Sequence, residues 1–154
     1  MVNKYLWMYE VCLRIEKAVN KKYKRIVVKV GSALITHNSD SISTKVMTQL
    51  IKQIDYLMSN NIEVILVSSG AVAAGKQVLN STDDSTNVKL KQVFAAVGQS
   101  VLVNKYSELF ENYDLKVAQT LLTRADIINK VSYLNFKNTL LNLLMLGVVP
   151  IVNE

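Results

Sequence analysis

Residues 26–32 run Ile-Val-Val-Lys-Val-Gly-Ser, an apolar strand pattern broken by one lysine and closed by glycine and serine. An ammonium inside an apolar strand is costly unless an anion compensates it. Lys29 therefore reads as one wall of a phosphate site. Gly31 would let the backbone approach the anion, and Ser32 would add a hydroxyl. The alternative is an edge strand that turns Lys29 to water.

A second cluster runs Ser68-Ser69-Gly70-Ala71-Val72-Ala73-Ala74-Gly75-Lys76-Gln77. Taken as G-x-x-x-x-G-K it approaches a P-loop, but Gln77 stands where a magnesium-binding hydroxyl belongs. The intervening Ala-Val-Ala-Ala would propagate a helix rather than wrap a triphosphate. A helix starting at Gly70 fits better. The backbone N–H groups of Gly70, Ala71 and Val72, with the helix dipole behind them, favour a carboxylate or a phosphate. Ser69 adds a donor, and the small alanines leave room for a ligand. An ordinary glycine-started helix capped by water remains the alternative. No G-x-G-x-x-G occurs, so a dinucleotide fingerprint is missing. A lone His37 and a lone Cys12 supply neither a nucleophilic triad, nor an internal disulfide, nor a metal cluster.

Both clusters need a scaffold that holds strand ends together, and the periodicity predicts one. Strands are expected at Ile26–Val30, Glu63–Val67, Lys116–Leu122 and Val148–Val152. Between them fall a helix striped by Met47, Leu50, Ile51, Ile54, Leu57 and Met58, and a helix from Gly70 to the polar stretch Asn80–Asn87. A long helix from about Val88 to Asn112 carries Leu90, Val93, Phe94, Val97, Val101 and Leu102, and a last helix spans Tyr133–Leu146. Strand–helix alternation of this kind specifies an α/β fold, an αβα sandwich around a mainly parallel sheet. Ligands of such sheets gather beyond the carboxyl ends of the strands. Gly31-Ser32, Ser68-Ser69-Gly70, Thr123-Arg124 and Asn153-Glu154 all lie at those ends.

At 154 residues, half of them apolar and 19% charged, the chain has the length and composition of a globular domain. The net charge of +6 is unevenly placed: residues 1–25 hold seven basic and two acidic side chains. The rest is nearly neutral, which argues against a nucleic-acid groove. Residues 1–25 read as a basic amphipathic helical extension with Met8, Cys12, Ile15 and Val19 on one face, and 26–154 as the domain proper. The extension could dock on the body, on a partner or on an anionic membrane; Glu10 and Glu16 argue against a transit peptide. No apolar stretch reaches the roughly 20 residues of a membrane span. The single cysteine points to a reducing, cytoplasmic setting.

Five segments together resemble the amino-acid kinase family and, within it, the glutamate 5-kinase branch. They are Lys29–Ser32, Val67–Gly75, Ala95–Ser100, Gln119–Asp126 and Val149–Glu154, in order over residues 25–154. The resemblance implies ATP- and Mg2+-dependent phosphorylation of the L-glutamate side-chain carboxylate, the first step toward proline, with proline as a feedback ligand and a homo-oligomeric enzyme. It implies a catalytic Lys29 beside the transferring phosphoryl group, Gly31 and Ser32 along the phosphates, and Ser69, Gly70, Ala71 and Asn153 on glutamate. It also places Gln119–Asp126 near the substrate. Ala33 departs from the family's second hydroxyl, and the family's nucleotide-binding half follows the Asn-Glu at which these residues end. The expectation is thus an amino-acid kinase-like fold incomplete at its C-terminus, which phosphorylates once a nucleotide-binding half is supplied. The last strand is expected inside the sheet with an open apolar edge that favours self-association. The competing readings are a non-catalytic amino-acid-binding or oligomerisation remnant, or another member of the family such as an acetylglutamate kinase.

Overall fold

The computed structural model describes residues 19, 23–36, 41–81 and 87–153. Cys12, His37, Glu154 and all of the N-terminal stripe except Val19 lie outside them. Four strands, β1 (Arg25–Val30), β2 (Glu63–Ser68), β3 (Lys116–Leu121) and β4 (Val148–Asn153), form one sheet in the order β1-β2-β4-β3. Every pairing is parallel. The helices are α1 (Ser32–Ile35), α2 (Thr44–Ser59), α3 (Ala71–Val78), α4 (Val88–Glu111), α5 (Arg124–Ile128) and α6 (Lys130–Met145).

Local chemistry sets the element ends. Ser43 caps α2 by accepting the Val46 N–H, and Asn87 caps α4 by accepting from Lys89. Asn61, with φ 59°, makes the left-handed turn from α2 into β2, and Gly147, with φ 70°, makes the turn from α6 into β4. Where β1 and β2 begin, the Arg25 guanidinium meets the Glu63 carboxylate at 2.6 Å, across a pair that stands in register.

The α2 stripe packs as its spacing predicts: Met47, Leu50, Ile51, Ile54 and Leu57 are buried, and Met58 is half-buried against the same core. Each such side chain contributes about 1.5–3 kcal/mol on burial. Val30, Val64, Leu66, Val149 and Ile151 meet them from one face of the sheet, together with Leu102, Tyr106, Leu109 and Phe110 of α4.

The long helix presents a different face from the one its aliphatic residues suggest. Val93 and Val101 are 50% and 39% exposed, whereas Gly98 and Tyr106 are buried. Phe94 and Leu102 of the expected stripe are buried, but the real one also includes a glycine and a phenol that the period of apolar side chains does not mark. Two short helices, α1 and α5, fall in stretches for which the sequence predicts no element. With four and five residues they are too short to show a period.

The crossovers β1→β2 and β2→β3 run the same way across the sheet, and β3→β4 runs back. Right-handed connections then place α2 and α4 on one face and α6 on the other, where α6 packs on β4. β4 lies between β2 and β3, inside the sheet as expected, so it provides no open edge. The edges are β1 and β3. On the α6 face, Val27 of β1 remains 60% exposed.

Candidate active site

The four strands finish in step. Val30 pairs with Ser68, Ser68 with Asn153, and Asn153 with Leu121, so one row of residues crosses the carboxyl end of the sheet. The connections leaving β2 and β3 run in opposite directions across the sheet, and ligands of parallel sheets bind beyond the strand ends where that direction changes. Ser68, Ser69 and Gly70 stand at the β2 exit and Asn153, half-buried, at the neighbouring β4 exit.

The β2 exit is built tightly. The Ser69 N–H donates to the Val30 carbonyl at 3.0 Å, which extends the β1–β2 ladder one step past the strand. Gly70 then turns the chain with φ 149°, a conformation that L side chains rarely adopt. With no side chain at Gly70 to cap α3, the first-turn N–H groups of that helix face outward without an intrahelical acceptor. Ala71 itself is buried, so it can offer a ligand only its N–H.

Beneath this turn runs one ridge of α4: Phe94, Gly98, Leu102, Tyr106 and Phe110, each four residues from the last. A Cβ on Gly75 would lie 1.9 Å from the Phe94 carbonyl oxygen, and one on Gly98 would lie 1.9 Å from that of Ala71. The two helices therefore touch backbone to backbone, antiparallel. Further along, Leu102 packs under Gly70, and the Tyr106 hydroxyl shares a 2.9 Å hydrogen bond with the Ser68 hydroxyl. Burial pushes the Tyr106 phenol up to about 12, and the bond to Ser68 opposes that rise. Residues 71–78 are helical and Gly75 is a packing residue, so the P-loop spacing has no P-loop behind it.

The β1 exit is open. Lys29, Gly31 and Ser32 are all exposed, and β1 is an edge strand. Alternation along β1 puts Lys29 on the face opposite Val30, which faces the α2–α4 core. Gly31, Ser69, Gly70, Ala71 and Asn153 thus gather at one end of the sheet. The Lys29 side chain leaves one residue earlier, on the α6 side. Gly31 has an ordinary φ of −75°, and an added Cβ would meet nothing within 4 Å.

At the third exit, Thr123 and Asp126 engage each other. The Thr123 hydroxyl and N–H both donate to the Asp126 carboxylate, and the Asp126 N–H donates back to Thr123. This is a capping box that starts α5, and the bonds from Thr123 hold the Asp126 carboxyl below its ordinary range. Two of the most distinctive side chains of Gln119–Asp126 are therefore occupied with each other. A separate groove of about 570 Å³ is lined by Ile42, Gln77, Val101 and Lys105 among others, and by none of the expected site residues. Tyr106 is the side chain that sequence reasoning missed; its signal was the four-residue spacing from Gly98 and Leu102.

Residues 24–154 match the model of the Amino acid kinase family. The chain belongs to that family. It is 47% identical over 143 residues to a glutamate 5-kinase of Desulfotalea psychrophila, an alignment covering 92% of this chain and 38% of that protein. A glutamate 5-kinase of Citrifermentans bemidjiense is 45% identical over 138 residues, 90% of this chain and 37% of its own length. One from Dehalococcoides mccartyi is 47% identical over 132 residues, 86% and 35% respectively. The chain therefore spans little more than a third of the length of these relatives. No group of His, Cys, Asp or Glu that could hold a metal ion occurs among the described residues, and none of their helices is long and apolar enough to cross a membrane.

Proposed function

We propose that this chain carries the amino-acid side of a glutamate 5-kinase. L-Glutamate would bind over the first turn of α3, with Ser69, the N–H groups of Gly70 and Ala71, and Asn153 around its polar groups. One observation carries the reading: the outward-facing amides behind Gly70 belong to a segment up to 47% identical to proteins named for this reaction. The reaction breaks the bond from the γ-phosphorus of ATP to its bridging oxygen and forms one to a carboxylate oxygen of the glutamate side chain, leaving ADP. Such transfers ask for positioning and charge compensation rather than a covalent nucleophile. Lys29 would compensate charge on the moving phosphoryl group, with Gly31 and Ser32 along the phosphates. The free space at Gly31 supports this, since neither backbone angle nor packing demands glycine there. The described residues hold no cluster of acidic or imidazole ligands for Mg2+, and the ion is assigned with the nucleotide to the rest of the relatives' length. The nucleotide pocket is assigned to the portion of the relatives' length that these residues do not span. Proline as a feedback ligand and self-association belong to the same proposal.

Titration calorimetry of the chain with glutamate, proline and ATP tests it, together with an assay for acyl phosphate after adding the unmatched C-terminal portion of the Desulfotalea relative. Glutamate binding by the chain, and phosphorylation only in the mixture, are expected. A chain that binds neither amino acid and stays inactive in the mixture would be an interaction module of the same fold.

A further inference from the structure

The Tyr106 phenol is wholly buried, its ring tilted against Phe110 with centroids 6.4 Å apart, and the Ser68 side chain it bonds is 1% exposed. Burying two hydroxyls is unfavourable, and the bond between them only recovers that cost. Phenylalanine and alanine would fill the same space with little effect on stability, so stability alone does not call for this pair. What the bond adds is a fixed direction. Ser68 is the last residue of β2, in register with Val30 on one side and Asn153 on the other. The next peptide donates to Val30 and the one after it is Gly70. Leu102, one turn before Tyr106, lies with Ile35 against the place where a Gly70 side chain would begin.

We propose that Tyr106 is a positioning residue, which holds Ser68 from beneath and so sets the direction in which the Gly70–Val72 amides meet the ligand. In naming glutamate as that ligand the inference rests on the function proposed above. Tyr106 touches no substrate and acts only through Ser68 and the turn that follows it.

A double-mutant cycle on the full chain separates positioning from packing. Tyr106→Phe and Ser68→Ala each leave one buried hydroxyl without its partner, whereas the double variant removes both. Melting temperature should therefore fall in each single variant and recover in the double. Glutamate affinity should behave differently: about five- to tenfold weaker in all three variants, since the orienting bond is missing in each. Affinity that recovers along with stability, or that never changes, overturns the inference. Amide resonances of Ser69, Gly70 and Ala71 give a readout that does not depend on glutamate. They should shift in the same pattern in all three variants even if the parent chain binds no glutamate, a result that would defeat the proposed function and leave the positioning role standing. Resonances that stay in place overturn the positioning role whatever the chain binds.

Discussion

The two glycine-bearing strand exits are opposites. After β2, both glycines have an internal reason, a positive φ at Gly70 and backbone contact with α4 at Gly75, and Ser68 makes a buried hydrogen bond. After β1, nothing inside the described molecule requires Gly31, and Lys29 and Ser32 stand exposed. A motif whose residues the fold already accounts for says little about ligands. One that the fold leaves unexplained says more. By that measure Gly31 and Ser32 are the better evidence for a bound anion, although the β2 exit carries the longer signature.

The sharpest way to break this contrast is Gly98→Ala. Its new methyl would sit 1.9 Å from a carbonyl oxygen and 2.3 Å from a backbone nitrogen, so the two helices must separate. A loss of about 3 kcal/mol or more is expected in urea unfolding, enough to leave much of the chain unfolded. Next in size is the alkaline limb of the stability curve. The Tyr106 phenol is raised from 10.0 to about 12 by burial, so the native state keeps a proton that the unfolded chain loses. Stability from this group is full below pH ~10 and declines as pH climbs to ~12, by about 2–3 kcal/mol. Denaturation midpoints measured across that range should fall, and Tyr106→Phe should flatten the fall. The smallest effects come from a matched pair of alanines. Gly70→Ala should cost about 1–3 kcal/mol, because φ 149° strains any side chain although a methyl there would make only ordinary contacts with Ile35 and Leu102. Gly31→Ala should leave the melting temperature unchanged and lower phosphorylation in the complemented mixture. A Gly31→Ala chain that melts early would erase the contrast.

Much of the scaffold was legible because it follows from local rules. The α2 stripe declared both its helix and its buried face, and the strand runs were bounded by polar turns. The parallel sheet followed from alternation alone. Strand order was not legible, since β4 inserts between β2 and β3 through pairings that no local pattern encodes. Nor was the true face of α4, where contact is made by what is missing, the side chains of Gly75 and Gly98. At the candidate site, the turn at Gly70 was legible from residue type. The shared hydrogen bond of Ser68 and Tyr106 was not, because it joins residues 38 apart. The Thr123–Asp126 pair, which the resemblance sets near the substrate, caps α5 as well. A threonine followed three residues later by an acid is ambiguous in sequence until the helix it starts is seen.

Where two helices meet through glycines, no rotamer can give way between them. The first turn of α3 is therefore seated directly on the backbone of α4, with no side chain between them. At 24 residues α4 is about 36 Å long. Whatever settles over Gly70 thus sits on the seam that joins α3 to α4, a helix that ends at Glu111 just ahead of the outer strand β3.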